Sequence, residues 1–150
     1  MNKLLIFCGV FVLCFVAASQ TNAQNRKAVG GAEVTGTFRE AASGSEFNIL
    51  ALGKGKLRVG FSGVYAYKTA SGEDTANTGE AIGEAEIAGD TATFTPGEFE
   101  ECAIILKFLT GGRLKVTQQG SDAECGFGRN VSADGLYKKV SGKKPKFDAN

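Results

Sequence analysis

Along residues 56–68 the side chains Leu57, Val59, Phe61, Tyr65 and Tyr67 fall at every second position, with Lys56, Arg58, Ser62 and Lys68 on the alternate set. Successive side chains of an extended strand point to opposite faces, so this run predicts a strand with one face on a core and one in water. Gly60 and Gly63 within it predict a bulge or bend that lets a long strand curl. No stretch beyond residue 23 holds a helical period, and shorter strand-like runs are punctuated by glycine turns. The expectation is an all-β domain.

The same reading places strands at residues 33–39, 46–52, 80–88, 91–95, 102–109, 113–119 and 135–140. In the first, Val34, Gly36 and Phe38 share one face, and Thr35, Thr37 and Arg39 the other. Gly53-Lys54-Gly55, Gly89-Asp90 and Gly111-Gly112 have the chemistry of short hairpin turns. Pro96 and Gly97 end the hairpin before them. Residues 40–45 form a loop, and residues 69–79 read as the longest polar loop. Seven or eight strands joined mostly by hairpins predict an antiparallel meander. Closure into a small barrel hides the strand edges, and a two-sheet sandwich is the alternative.

One cation, Lys3, precedes an apolar run over residues 4–18 and a polar stretch ending in Ala23. That order is the pattern of a secretory signal peptide cleaved near Ala23, and the run is short for a membrane span. Leu13 and Phe7 precede Cys14 and Cys8, where a lipid-attachment site wants a small residue. The expected product is secreted or periplasmic, with a flexible lead-in over residues 24–31, one β domain over 32–140, and a basic, disordered tail over 141–150. Cys102 and Cys125 are then the remaining cysteines, and an oxidising compartment makes them one disulfide. Pairing outward from Gly111-Gly112 brings both to the same end of one hairpin, which supports the bridge independently.

Without Lys3 the 17 basic residues become 16, matched by 16 acids, and that balance argues against a general nucleic-acid binder. Charge is nevertheless segregated. Glu73, Asp74, Glu80, Glu84, Glu86, Asp90, Glu98, Glu100 and Glu101 follow one another without a base between them. Lys54, Lys56, Arg58 and Lys68 come before, and a lysine cluster closes the chain. Neighbouring strands with complementary outer faces account for this most simply. A negative patch that docks on a basic partner is the functional alternative.

The chain has no histidine, so histidine-based triads, metal sites and pH switches are excluded. Glu84 with Glu86, or Glu100 with Glu101, raises a glycosidase possibility, against which solvated strand glutamates are the plainer account. Asp74, Asn77 and Glu80 offer oxygens for calcium, but Ala76 stands where an EF-type loop needs one. The glycine spacing fits no dinucleotide or phosphate cradle. Phe127, in Cys125-Gly126-Phe127-Gly128, is either a ligand contact or the buried anchor of a disulfide-held turn. Tyr65 and Tyr67 extend the core face and are, secondarily, a stacking platform for a sugar or base. Asn130-Val131-Ser132 fits an N-glycosylation acceptor, relevant in a eukaryotic source. No cofactor, catalytic residue or metal ligand is expected.

An exported β domain with one disulfide resembles small secreted bacterial proteins such as the periplasmic and membrane-bound lysozyme inhibitors. Their inhibitory loop has the form Ser-Gly-x-x-Tyr, and Ser62-Gly63-Val64-Tyr65 is one residue shorter. Cys125-Gly126-Phe127-Gly128 with Asp134-Gly135-Leu136-Tyr137 also looks like a recurring feature of such proteins. The resemblance implies a barrel with an inhibitor-like role at the cell envelope. The expected function is thus a non-enzymatic, monomeric binding module, contacting a protein or cell-envelope partner through Tyr65, Tyr67, Glu84, Glu86 or Phe127. A carrier holding an apolar ligand inside the barrel is the alternative.

Overall fold

The computed structural model describes residues 28–97 and 99–147. The expected signal segment and the first four residues of the lead-in lie outside them. The elements run in the order α1 (Gly31–Val34), β1 (Gly36–Glu40), β2 (Glu46–Gly53), β3 (Lys56–Lys68), β4 (Asp74–Ala88), β5 (Thr91–Phe94), β6 (Ala103–Leu109), β7 (Arg113–Gln119) and β8 (Gly135–Ser141). All eight strands pair antiparallel with their sequence neighbours, and β8 returns to β1 to close a barrel. The meander is therefore a barrel and not a sandwich. Three elements differ from the sequence reading. Residues 31–34 form a helical turn, so the first strand starts at Gly36. The supposed loop over residues 69–79 is a short turn, because β4 begins at Asp74. Ser141 belongs to β8, and farther along the chain Phe147 lies on the barrel wall, with Arg58 5.3 Å from its ring centre.

Closure explains the interior. Every second residue points inward, and Phe38, Phe47, Ile49, Leu57, Val59, Phe61, Phe94, Ile104, Leu106, Leu114 and Tyr137 are all buried. Tyr137, Phe47, Phe61 and Phe127 make a continuous aromatic column, with successive ring centres 5.0, 4.8 and 5.0 Å apart. Each such pair adds about 0.5–1.5 kcal/mol to the stabilisation from burial alone. The inward positions of β4 are small in compensation. A Cβ on Gly83 would stand 2.9 Å from the Phe94 ring, and one on Gly79 would stand 2.8 Å from Phe127. The Tyr137 hydroxyl donates to the Ala133 carbonyl at 3.0 Å, and burial, aided by the charges of Glu40 and Asp134, pushes its ionisation well above the ordinary range.

The two barrel ends are closed differently. At one end Lys139 donates to the carbonyls of Ala32 and Glu33 at 2.8 and 3.0 Å, which ties α1 to β8. At the other, residues 120–134 fold over the opening and bury Cys125, Phe127, Val131 and Ala133. The Cys102–Cys125 disulfide fastens that segment to the start of β6. Beside it, the amides of Ser43 and Ala42 donate to the Glu40 carboxylate at 2.6 and 2.9 Å and hold its pKa below the ordinary value.

Two outcomes follow from these end closures. Cys102→Ser is expected to lower unfolding stability by about 3 kcal/mol in urea melts, from the chain-entropy cost of the released loop. Unchanged stability with and without reductant would contradict a bridge. The depressed Glu40 pKa means that its contribution is complete above the unfolded-state value and is lost as pH falls through the folded-state value. Glu40→Gln should therefore show a shallower acid limb of stability than the parent, and coincident limbs would count against this turn as its source.

Candidate functional site

β3 and β4 have 13 and 15 residues, whereas the other strands have four to eight. The pairing of β2 with β3 ends at Glu46 opposite Ser62, while that of β3 with β4 continues to Lys68 opposite Asp74. Ser45 marks the departure point. Its buried hydroxyl accepts the Val64 amide at 3.2 Å in place of a further β2 carbonyl. Beyond it the β3–β4 hairpin leaves the wall as a two-stranded ribbon beside the segment that closes the barrel.

Gly63 and Gly79 face each other where the ribbon departs. A Cβ at Gly63 would come within 2.6 Å of both Phe61 and Val131, and Gly79 makes the corresponding space for Phe127. This close approach lets the segment over residues 120–134 lie against the ribbon. Gly128 N–H donates to the Thr78 carbonyl at 3.0 Å, and the Asn77 amide donates to the Arg129 carbonyl at 2.7 Å. The segment is also braced internally, since Asp122 accepts the amides of Asn130 and Ala123 at 2.6 and 2.9 Å. Asn130, in the left-handed region at φ 65°, turns the chain there.

The result is a cleft of about 330 Å³ lined by Tyr65, Tyr67, Asn77, Arg129 and Asn130. Tyr65 and Tyr67 continue the inward face of β3, as the alternation predicted, but they lie past the rim and remain 41% and 40% exposed. Their rings are nearly parallel, at 28°, with centres 6.1 Å apart. Tyr65 stands directly across from Asn77. Burial on the core side is thus corrected for both tyrosines. Arg129 lines this cleft and makes no ion pair among the described residues; those pairs are Arg39 with Glu46 and Lys68 with Asp74.

The remaining residues singled out in the sequence sit elsewhere. Phe127 is 6% exposed and packs on Phe61, so it anchors the closing segment and offers no surface to a ligand. Glu84 and Glu86 are on the outer wall, opposite Arg58 and Lys56. That register is the arrangement of complementary outer faces, and it separates both glutamates from the tyrosine cleft. Glu100 and Glu101 lie in the turn before Cys102. Asp74, Asn77 and Glu80 share one strand, with Asn77 on the face opposite the other two, so the three do not converge on one ion. Among the described residues no cluster of acidic or cysteine side chains is arranged to hold a metal. Ser62, Gly63, Val64 and Tyr65 are within β3.

Sequence reasoning missed Arg129 and gave Asn77 another role. The register of an extended hairpin would have paired Asn77 with Tyr65, but nothing local distinguishes Arg129. No family model, curated protein or solved structure matches this chain. Among the described residues no helix is long and apolar enough to cross a membrane.

Gly79→Ala is the substitution that separates ribbon from closing segment. Forcing a methyl against Phe127 is expected to cost about 1–3 kcal/mol in thermal or urea unfolding. Stability equal to the parent would show that the two elements do not press together there.

Proposed function

We propose that this chain is an exported, non-enzymatic binding module that recognises an envelope or extracellular partner through the cleft of Tyr65, Tyr67, Asn77, Arg129 and Asn130. The observation that carries this reading is the pair of exposed, near-parallel tyrosines on a ribbon braced from one side. Aromatic rings with free polar tips give large contact area at a small entropy cost, because each has few torsions to freeze. The brace from Asn77 to Arg129 reduces the ordering left to be done on binding. Export rests on the signal-like N-terminus and agrees with a bridged cysteine pair.

The carrier alternative needs room inside the barrel. That space is occupied by the aromatic column and the aliphatic side chains around it, so an internal ligand must displace packed rings. The outer glutamates are a weaker candidate surface, since each already faces a base across the β3–β4 ladder.

Amide spectra of the isotope-labelled mature protein, recorded during titration with a soluble extract of the host envelope, distinguish these readings. Shifts concentrated at Tyr65, Tyr67, Asn77, Arg129 and Asn130 are expected. Shifts centred on Phe47 and Leu106 would replace this reading with the carrier, and an unperturbed spectrum would contradict binding through the cleft.

A further inference from the structure

Resting on the cleft as the recognition site, we infer that its ligand is a saccharide bearing a carboxylate group. A pyranose ring has C–H groups on its faces and hydroxyls around its rim. It therefore asks for an aromatic surface with hydrogen-bonding groups beside it. Tyr65 and Tyr67 provide two exposed rings, stacked at 28° with centres 6.1 Å apart. Asn77 and Asn130, which carry side-chain amides, line the same cleft as the two tyrosines. This is a mixed aromatic and polar lining, without the aliphatic pocket that a hydrophobic peptide anchor requires.

Arg129 supplies the charge selection. A guanidinium presents paired N–H donors that match the two oxygens of a carboxylate. The acids nearby are committed elsewhere: Asp122 accepts two backbone amides of its own segment, and Asp74 pairs with Lys68 at 2.6 Å. Asp74 also belongs to the opposite face of the ribbon from Tyr65 and Tyr67. Arg129 is thereby left to meet an anionic group in the cleft it shares with the two rings. A nucleic-acid strand would stack its bases equally well, but its phosphates need a basic track. The adjoining outer face of β4 instead carries Glu80, Glu84 and Glu86.

The test compares matched sugars on the labelled mature protein: trigalacturonate with galactotriose, and sialyllactose with lactose. At least one acidic sugar is expected to shift the amides of Tyr65, Tyr67 and Arg129 and to bind about tenfold more tightly than its neutral partner. Arg129→Gln should bring that pair within about twofold, while Tyr65→Ala with Tyr67→Ala should abolish both. These side chains stand outside the barrel core, and an unchanged melting temperature in each variant confirms that the loss is local.

Equal affinity for acidic and neutral sugars, or no binding of any of the four, overturns the inference. The envelope extract then separates the two levels. Cleft shifts with the extract but with none of the sugars reject the saccharide and keep the recognition site, whereas no shift with either rejects both.

Discussion

A closed sheet satisfies its strand edges only along the length that neighbouring strands share, and β3 and β4 are longer than that shared length. The excess must leave the wall as a ribbon. Everything distinctive about this barrel follows from how the departure is managed. Ser45 ends one ladder with its side chain, the facing pair Gly63 and Gly79 opens space, and Phe127 and Val131 fill it. A ribbon of two strands is marginal in water by itself. Here it is supported along β4 by the disulfide-anchored segment, through Thr78 and Asn77.

Stability and the proposed recognition consequently fall to different parts of the same strands. Up to Phe61 the odd-numbered side chains of β3 are core; from Tyr65 onward the same face meets solvent. Filling the barrel with its own rings makes the scaffold rigid and leaves chemistry to its rim. The disulfide joins the two, since it closes the barrel end and anchors the segment that carries Arg129.

Much of this was legible in the residues. Alternation identifies β3 with its bounds intact, and glycine turns identify the hairpins around it. The pairing of Cys102 with Cys125 follows from the β6–β7 register, in which Ala103 faces Gln119. What alternation cannot give is depth. It assigns Tyr65 and Tyr67 to the inward face but not to a position beyond the rim. Residues 74–79 read as loop because Asp74, Thr75, Asn77 and Thr78 show no apolar alternation of their own. The helical turn at Gly31–Val34 is too short to show a period. Arg129 acquires its place through a bond to its carbonyl from the side chain of Asn77, far away in the chain, and Phe147 lies against a basic surface strand despite the polar character of its own tail.

Hydrogen–deuterium exchange before and after reduction of the disulfide tests the dependence of the ribbon on its brace most directly. Reduction is expected to speed exchange in residues 120–134 and in residues 74–79 together, while β6 and β7 stay protected under native conditions. Faster exchange confined to residues 120–134, with the ribbon unchanged, would show that the ribbon stands by itself and would contradict the account.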